Sequence, residues 1–431
     1  MTECIQDSFE FAPHFSRQVT ATFDAGPLTS DGGALLLRET EKRIGLLKRL
    51  GACFTDTRSP GRVAHRLDEL LAQRIYGLAL GYEDLNDHEQ LRHDPLLGVL
   101  AGKKKPEQAL AGKSTLNRLE LAPKSDPHTE RYHKVTYSAA AVDELLVRVF
   151  QEAHEHAPSR IVIDLDATDT PLHGRQENRF FHGYYNHYCY LPLYIFCGDH
   201  LLRARLRPSN IDASAGAVAE VRSIVAQLRQ RWPETQIIVR ADSGFCRDEL
   251  MSWCEANRVD YVFGFARNDR LRAQIEDAMA QARADHERSG APARVFTEFD
   301  YETTTGSWSR ARRVVAKAEQ LEGKENPRYV VTSLAADEWA ARELYEQLYC
   351  ERGEMENRIK EQLSLSADRL STETMRANQL RLYLSSLAYV LVSALRRLGL
   401  AGTELARAQA ETIRLKMLNN HRLKAVGLFG D

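Results

Sequence analysis

Residues 161–168 read IVIDLDAT, an apolar β-branched run carrying two aspartates, Asp164 and Asp166, two positions apart. On a strand, residues two apart share a face, so both carboxylates point the same way. A buried strand tolerates a lone carboxylate poorly, because desolvating an unpaired charge costs several kcal/mol. The pair therefore marks either a solvated strand end or a site that needs negative charge.

Downstream of this run the texture stays strand-like. YYNHYCYLPLYIF (184–196) and LLRARLRP (201–208) are strand candidates, and SAGAVAEVRSIVAQLRQRW (214–232) has the period of an amphipathic helix. QIIVRAD (236–242), CRDELMSWCEANR (246–258) and DYVFGFAR (260–267) add strand, helix and strand. A β-β-β-α order followed by β-α-β predicts an α/β fold, a mixed sheet covered by helices. Residues 268–327 interrupt the alternation with a charged helical piece and two alternating runs, VFTEFDYE and ARRVVAKA, around Gly306 and Trp308, which predicts an inserted β-rich subdomain. RYVVTSL (328–334) returns as a strand, and DEWAARELYEQLYCERGEMENRIKEQ (337–362) predicts one long helix of good helix formers without proline.

Upstream, residues 28–120 have helical periodicity with Gly, Asp and Pro punctuation, and the polar segment APKSDPHTERYHK (122–134) places a boundary near it. The expected division is a helical region over 1–130, the first part of the core over 131–267, the β-rich insert over 268–327, the second part of the core over 328–370, and a helical region over 371–431.

Composition narrows the function classes. Of 431 residues, 43% are hydrophobic and 27% charged, as in ordinary globular proteins, and 58 Lys plus Arg against 60 Asp plus Glu leave a net charge of -2. The chain as a whole is not a basic nucleic-acid binder, so any such role needs local patches. Seven scattered cysteines form no C-x-x-C pair, which argues against a disulfide framework or zinc knuckle. The first residues lack an apolar leader segment, and the greasiest stretch, Leu382 to Leu395, is too short to span a bilayer, so the expected location is cytoplasmic, with no membrane partner.

Two further acids sit where chemistry is common. Asp242 closes the apolar run QIIVRAD before a tight Ser243-Gly244 turn, at the carboxyl end of a strand, where open α/β sheets carry function; capping the following helix is the plainer role. Tyr349, Arg352, Glu356 and Lys360 fall at i, i+3, i+7 and i+11 and form one helical stripe that is no core face. A solvated face with a Glu356–Lys360 pair is its plainer reading. Two strand aspartates and one helix glutamate would suit hard divalent cations, which take carboxylate oxygens and, in pairs, assist phosphoryl transfer.

Taken together, IDLDAT, RADSGF (240–245) and YCERGEMENRIK (349–360) resemble the bacterial insertion-sequence transposases of the DDE class, with a ribonuclease H-like catalytic core. That family's Tyr-x2-Arg-x3-Glu pattern is matched by Tyr349, Arg352 and Glu356, and the resemblance spans roughly residues 25 to 400, including DGGALLLRE at 31–39. It implies Asp166, Asp242 and Glu356 as catalytic metal ligands for two Mg2+ or Mn2+ ions, with Asp164 and Asp169 as rivals for the first place. Tyr349 and Arg352 would position phosphates. The family often has a lysine seven residues after the glutamate; here that position is Leu363, and Lys360 is the nearest candidate.

The implied reaction is hydrolysis at an element's ends followed by strand transfer into target DNA. The implied partners are double-stranded DNA, as terminal inverted repeats and target, and further copies of the chain, at least as a dimer on DNA. The helical region over 1–130 would serve DNA-end binding and assembly.

Within it, residues 101–124 hold Lys103, Lys104, Lys105, Lys113, Arg118 and Lys124 against Glu107 and Glu120, a patch that could grip DNA or be a solvated helix surface. Trp308 would stack on a base flipped out near the cleaved end, as in similar transposases, unless it is simply packed. The ending HRLKAVGLFGD is short for such a chain, which keeps a non-catalytic DNA-binding regulator as an alternative beside a metal-dependent nuclease on the same core. LAGKST at 110–115 lacks the first glycine of a phosphate loop, no GxSxG occurs, and the HEH at 154–156 has no third ligand at a sensible spacing.

Overall fold

The computed structural model describes residues 8–22, 29, 31–105, 108–121, 134–303, 306–419 and 425–429. The expected boundary segment, apart from Lys134, and the patch residues Glu107 and Lys124 lie outside the described residues. The chain divides into two compact units, one of Met1–Val149, Thr170–Tyr190 and Ile359–Asp431, the other of Phe150–Asp169 and Leu191–Arg358.

The second unit is a mixed α/β structure built on one large sheet. Its strands are β1 (Arg160–Ala167), β2 (Leu193–Cys197), β3 (His200–Arg205), β4 (Gln236–Ala241), β5 (Asp260–Phe265), β6 (Ala293–Tyr301), β7 (Arg312–Leu321) and β8 (Arg328–Thr332). Across the sheet they run β3-β2-β1-β4-β5-β8-β7-β6. β1, β4 and β5 are mutually parallel, while β2 and β3 on one side and β8, β7 and β6 on the other pair antiparallel.

The register orders the side chains of the parallel strands into rungs. Val162, Ile238 and Asp260 form one, and Asp164, Arg240 and Val262 form the next, two residues on and therefore on the same face. One step past the last paired residues, the same register aligns Asp166, Asp242 and Gly264. On the apolar part of this face Ile238, Val262, Val315 and Val330 receive Leu344, Tyr345 and Leu348, which seats the segment leading to Tyr349 on the sheet. Ile224, Val225 and Leu228 of the helix Ala217–Arg231 and Leu250 and Met251 of the helix Asp248–Ala256 are buried as well.

The two strands predicted as an insert, β6 and β7, are joined to each other along their length, and β7 pairs with β8, so they extend the main sheet rather than standing on a separate one. The predicted long helix is also broken up. Ala341–Glu343 is α-helical, Leu344–Tyr349 widens into a π-turn, Cys350–Arg352 tightens to 3₁₀, and a regular helix resumes at Gly353–Ser364. A buried side chain supplies a reason, because Arg240 Nη1 donates to the Leu348 carbonyl, which a regular helix would use within its own ladder.

The first unit is largely helical. The helix Met375–Gly399, buried over most of its length, packs against Leu67–Leu80 and Ala34–Ile44. It also contains strands where helix was expected: Ser8–His14 and Arg17–Thr22 form a hairpin, and Ala425–Phe429 near the C-terminus pairs with the second of them. No helix among the described residues is long and apolar enough to cross a membrane.

Candidate active site

The strand ends assemble five of the expected residues within the second unit. Asp166 is the last residue but one of β1, near its carboxyl end, and is still paired with Tyr194 of β2. Asp242 follows β4 and caps the next turn, its Oδ1 accepting from the Gly244 N–H at 2.8 Å. Arg352, delivered by the 3₁₀ turn, places Nη1 3.5 Å from Asp166 Oδ2 and donates from Nη2 to Glu356 Oε1 at 2.9 Å. One guanidinium thus links a strand aspartate to the helix glutamate, and Glu356 is held by Arg352 rather than by the exposed Lys360.

The electrostatics follow from burial. Desolvation pushes the Asp166 carboxyl up to about 6, with Asp242 and Glu356 adding to the rise and Arg352 and the Ala167 N–H opposing it. Burial works against the charged Arg352 as well, yet Asp166, Tyr349, Asp242 and Glu356 together hold it above its ordinary value. The Tyr349 hydroxyl is raised by burial and by Asp242, against Arg352, and so stays protonated. These are three carboxylates that share one cation and would gain from another.

Asp164 and Asp166 stand in different surroundings. Asp164 is buried and accepts two hydrogen bonds from Arg240, Nε to Oδ1 at 2.5 Å and Nη2 to Oδ2 at 2.8 Å. Both its oxygens are engaged by a partner that is itself bound to the Leu348 carbonyl. Asp169 lies past the strand end and is half-buried.

One residue of the site gave no functional signal in the sequence. A Cβ at Gly264 would lie 2.5 Å from the Tyr349 hydroxyl and 3.0 Å from the Ser243 nitrogen. The glycine leaves room for the tyrosine ring to pass over β5 and reach the backbone beside Asp242. Its trace in the sequence is a glycine interrupting the apolar run DYVFGF, which often marks a close backbone approach.

The set of carboxylate oxygens fits a hard divalent cation in chemistry, since each donor is an oxygen and the deepest one is short of positive charge. Among the described residues, no three Asp, Glu, His or Cys groups close around a single point as a finished metal cage would. Arg352 is the cation that Asp166 and Glu356 share. Cysteine plays no part here: burial lifts the thiols of Cys197 and Cys246 up to about 12.

The expected DNA contacts fare unevenly. Lys103 is buried, with Nζ 3.3 Å from Glu69 Oε2 and 3.4 Å from His65 Nδ1, so it is an internal charge and not part of a surface patch. Lys104 and Lys105 are exposed; Lys113 is exposed too, its Nζ donating to Asn86 at 3.1 Å. Arg118 joins Arg58, Arg62, His65 and Lys134 around a cavity of about 240 Å³ within the first unit, a basic concavity not apparent from linear spacing. Trp308 is only 6% exposed, its ring 4.9 Å from Phe265 and 5.7 Å from Tyr301, with the Arg312 guanidinium 5.5 Å away. The tryptophan is packed, and its ring is not presented to a base.

Comparison with known proteins bears on the whole chain. No curated protein matches it. Among solved structures it is similar to a piggyBac transposase synaptic complex with hairpin DNA, at 11% identity and a TM-score of 0.43, over 93% of this chain and 84% of that one. The family described as Transposase DDE domain group 1 matches residues 11–420. The chain therefore belongs to the DDE transposase family and is a DNA transposase.

Proposed function

We propose that this transposase cuts DNA at the ends of a mobile element and joins the released ends to target DNA, with Asp166, Asp242 and Glu356 as its acidic set. The observation that carries the reading is the sharing of Arg352 by Asp166 and Glu356 beside Asp242, at the carboxyl ends of adjacent parallel strands. The three carboxylates would hold Mg2+ or Mn2+, two ions in the working enzyme, which would supply Lewis-acid stabilisation of the charge on the attacking and leaving oxygens.

The protein's own groups account for the rest. Hydrolysis needs an in-line attack on phosphorus with departure of the 3'-oxygen, and joining needs the freed 3'-hydroxyl to attack a second phosphodiester in the same geometry. Arg352 offers a planar fork that can leave its carboxylates for a phosphate. Tyr349, protonated and lodged over Gly264, is a hydrogen-bond donor at a fixed place beside Asp242. The exposed Lys104, Lys105 and Lys113 and the concavity around Arg62 and Arg118 are suited to the DNA backbone, and pairing of two element ends calls for at least a dimer on DNA.

The test is a cleavage and strand-transfer assay on DNA carrying the element's ends with Mg2+ or Mn2+. Joined products from the wild type and none from Glu356→Gln are expected. Binding without cutting in both proteins would replace this reading by a DNA-binding regulator, and cutting without joining by a nuclease.

A further inference from the structure

The segment Thr170–Tyr190 carries six aromatic residues in 21 positions, and several are on its surface. Phe180–His182 and His187–Tyr190 pair antiparallel, with Thr170–Pro171 on the outer side of the second strand. Alternation should give this small sheet one buried and one polar face. Cys189 and Tyr190 are indeed buried, but Phe181 and Tyr188, directly opposite each other, are 53% and 43% exposed, and Tyr184 at the tip is 86% exposed. Leu172, the segment's only leucine, isoleucine, valine or methionine, is buried, so the exposed apolar surface is entirely rings.

The hairpin is also hydrogen-bonded at its turn and base, and its exposed charge is of one sign. Asn186 adopts the left-handed conformation at the turn and its N–H donates to the His182 carbonyl at 2.8 Å. At the base, Glu177 accepts from the Met375 N–H at 2.9 Å, and its carbonyl accepts from the Tyr190 hydroxyl at 2.6 Å. The segment's single carboxylate is thereby turned inward. Arg179 lies 3.8 Å from the centre of the Tyr188 ring, and Arg175 is exposed with no ion pair among the described residues. Exposed rings interleaved with arginine and no free acid form a surface of the kind that binds unpaired nucleotides, by stacking on bases and attracting phosphates.

We infer that the Arg179–Tyr188 hairpin is a stacking platform for unpaired bases of DNA, using Phe181, Tyr184 and Tyr188 with Arg175 and Arg179 as phosphate partners. The held turn lowers the ordering cost of binding, since the rings are already placed. The inference rests on DNA as the substrate but not on the assignment of Asp166, Asp242 and Glu356.

The experiment compares the full chain with Phe181→Ala, Tyr184→Ala and their combination with Tyr188→Ala, by anisotropy of labelled DNA. The probes are a single strand of about 12 nucleotides, within the site sizes of such binders, and a blunt duplex of the same sequence. Each lost stack should weaken single-strand binding by about 5- to 150-fold while duplex affinity changes little, and Tyr184→Trp should retain it. Quenching of 2-aminopurine at an unpaired end should disappear in the triple variant. Unchanged single-strand affinity in a triple variant of normal melting temperature would overturn the inference. So would a fall in self-association on sedimentation without loss of DNA affinity, which would make the rings a contact between copies. Strand transfer by Asp242→Ala tests the active-site reading, and single-strand affinity of the ring variants tests this one, so the two failures are distinguishable.

Discussion

Two neighbouring rungs of the same sheet face meet opposite fates. In one, Asp164 lies beside Arg240, which donates to both its oxygens and to the Leu348 carbonyl. Two residues further along, Asp166 lies beside Asp242, and among the described residues the only guanidinium on it is Arg352, which it shares with Glu356 at 3.5 Å and 2.9 Å. The first rung is an internal ion pair that braces the sheet against the segment carrying Tyr349. The second sets Asp166 beside like charges, and burial drives the Asp166 carboxyl toward protonation. What separates the two rungs is whether the adjacent strand offers an arginine or another aspartate.

The comparison breaks most sharply by removing one partner from each rung. Asp242→Ala should lower strand transfer by on the order of 10³-fold or more, as loss of a member of a catalytic set does, at a stability cost of about 0.5–2 kcal/mol for the lost cap. Arg240→Met should do the reverse in stability: leaving Asp164 buried and unpaired costs about 3–5 kcal/mol, read as a lower denaturation midpoint. If Arg240→Met were stable and Asp242→Ala unfolded, the roles of the two rungs would be exchanged.

Gly264 extends the second rung to a third strand, and the next largest effect is expected there. The added methyl group of Gly264→Ala would contact the Tyr349 hydroxyl at 2.5 Å, so the ring must move. A displacement near 1 Å at a positioning group can cost about 10²-fold in rate. The rate should fall with the melting transition nearly in place, and Tyr349→Phe combined with Gly264→Ala should lose less than the two single effects summed, since the hydroxyl is the atom displaced.

Much of this was legible in the sequence, and the remainder was hidden for a physical reason. The strand alternation, the acids at strand ends and the Tyr-Arg-Glu spacing are local patterns, and all three reappear. The choice between Asp164 and Asp166 depends on which residue of β4 each faces, a register that no local window contains. The same holds for the π-turn before Tyr349, which depends on an arginine reaching a carbonyl 108 positions away. Trp308 was ambiguous because an exposed and a packed ring leave the same letter in a hairpin. Its burial is decided by Phe265 and Tyr301. The terminal strand Ala425–Phe429 pairs with Arg17–Thr22, a contact between the two ends of the sequence.

The charged state of Asp166 gives a smaller effect that sharpens the contrast. Its carboxyl is moved from an ordinary 3.8 to about 6 in the folded chain. Below pH 3.8 folded and unfolded forms both hold the proton. Between 3.8 and 6 the unfolded chain ionises first, so the folded state binds more protons and stability declines as pH rises, by about 1–3 kcal/mol once past 6. In metal-free buffer, Asp166→Asn should therefore gain stability relative to wild type between pH 4 and pH 7. A parallel pair of curves would mean that burial does not strain this carboxylate.

The smallest effect concerns three consecutive lysines in the first unit, where the same lesson holds at the surface. Lys103 is enclosed with Glu69 and His65, whereas Lys104 and Lys105 are exposed. If the exposed two contact phosphates, replacing both with alanine should weaken DNA binding alike on every sequence and reduce the slope of log K against log salt by about 2, near 0.9 for each contact. Folding should not change. Lys103→Ala should leave that slope alone and lower stability instead, because it takes from the buried Glu69 the cation enclosed with it and leaves Arg66 as its partner. A salt slope that responds to Lys103 and not to its two neighbours would show that the buried pair opens on DNA, and would move the grip from the surface to the interior of the unit.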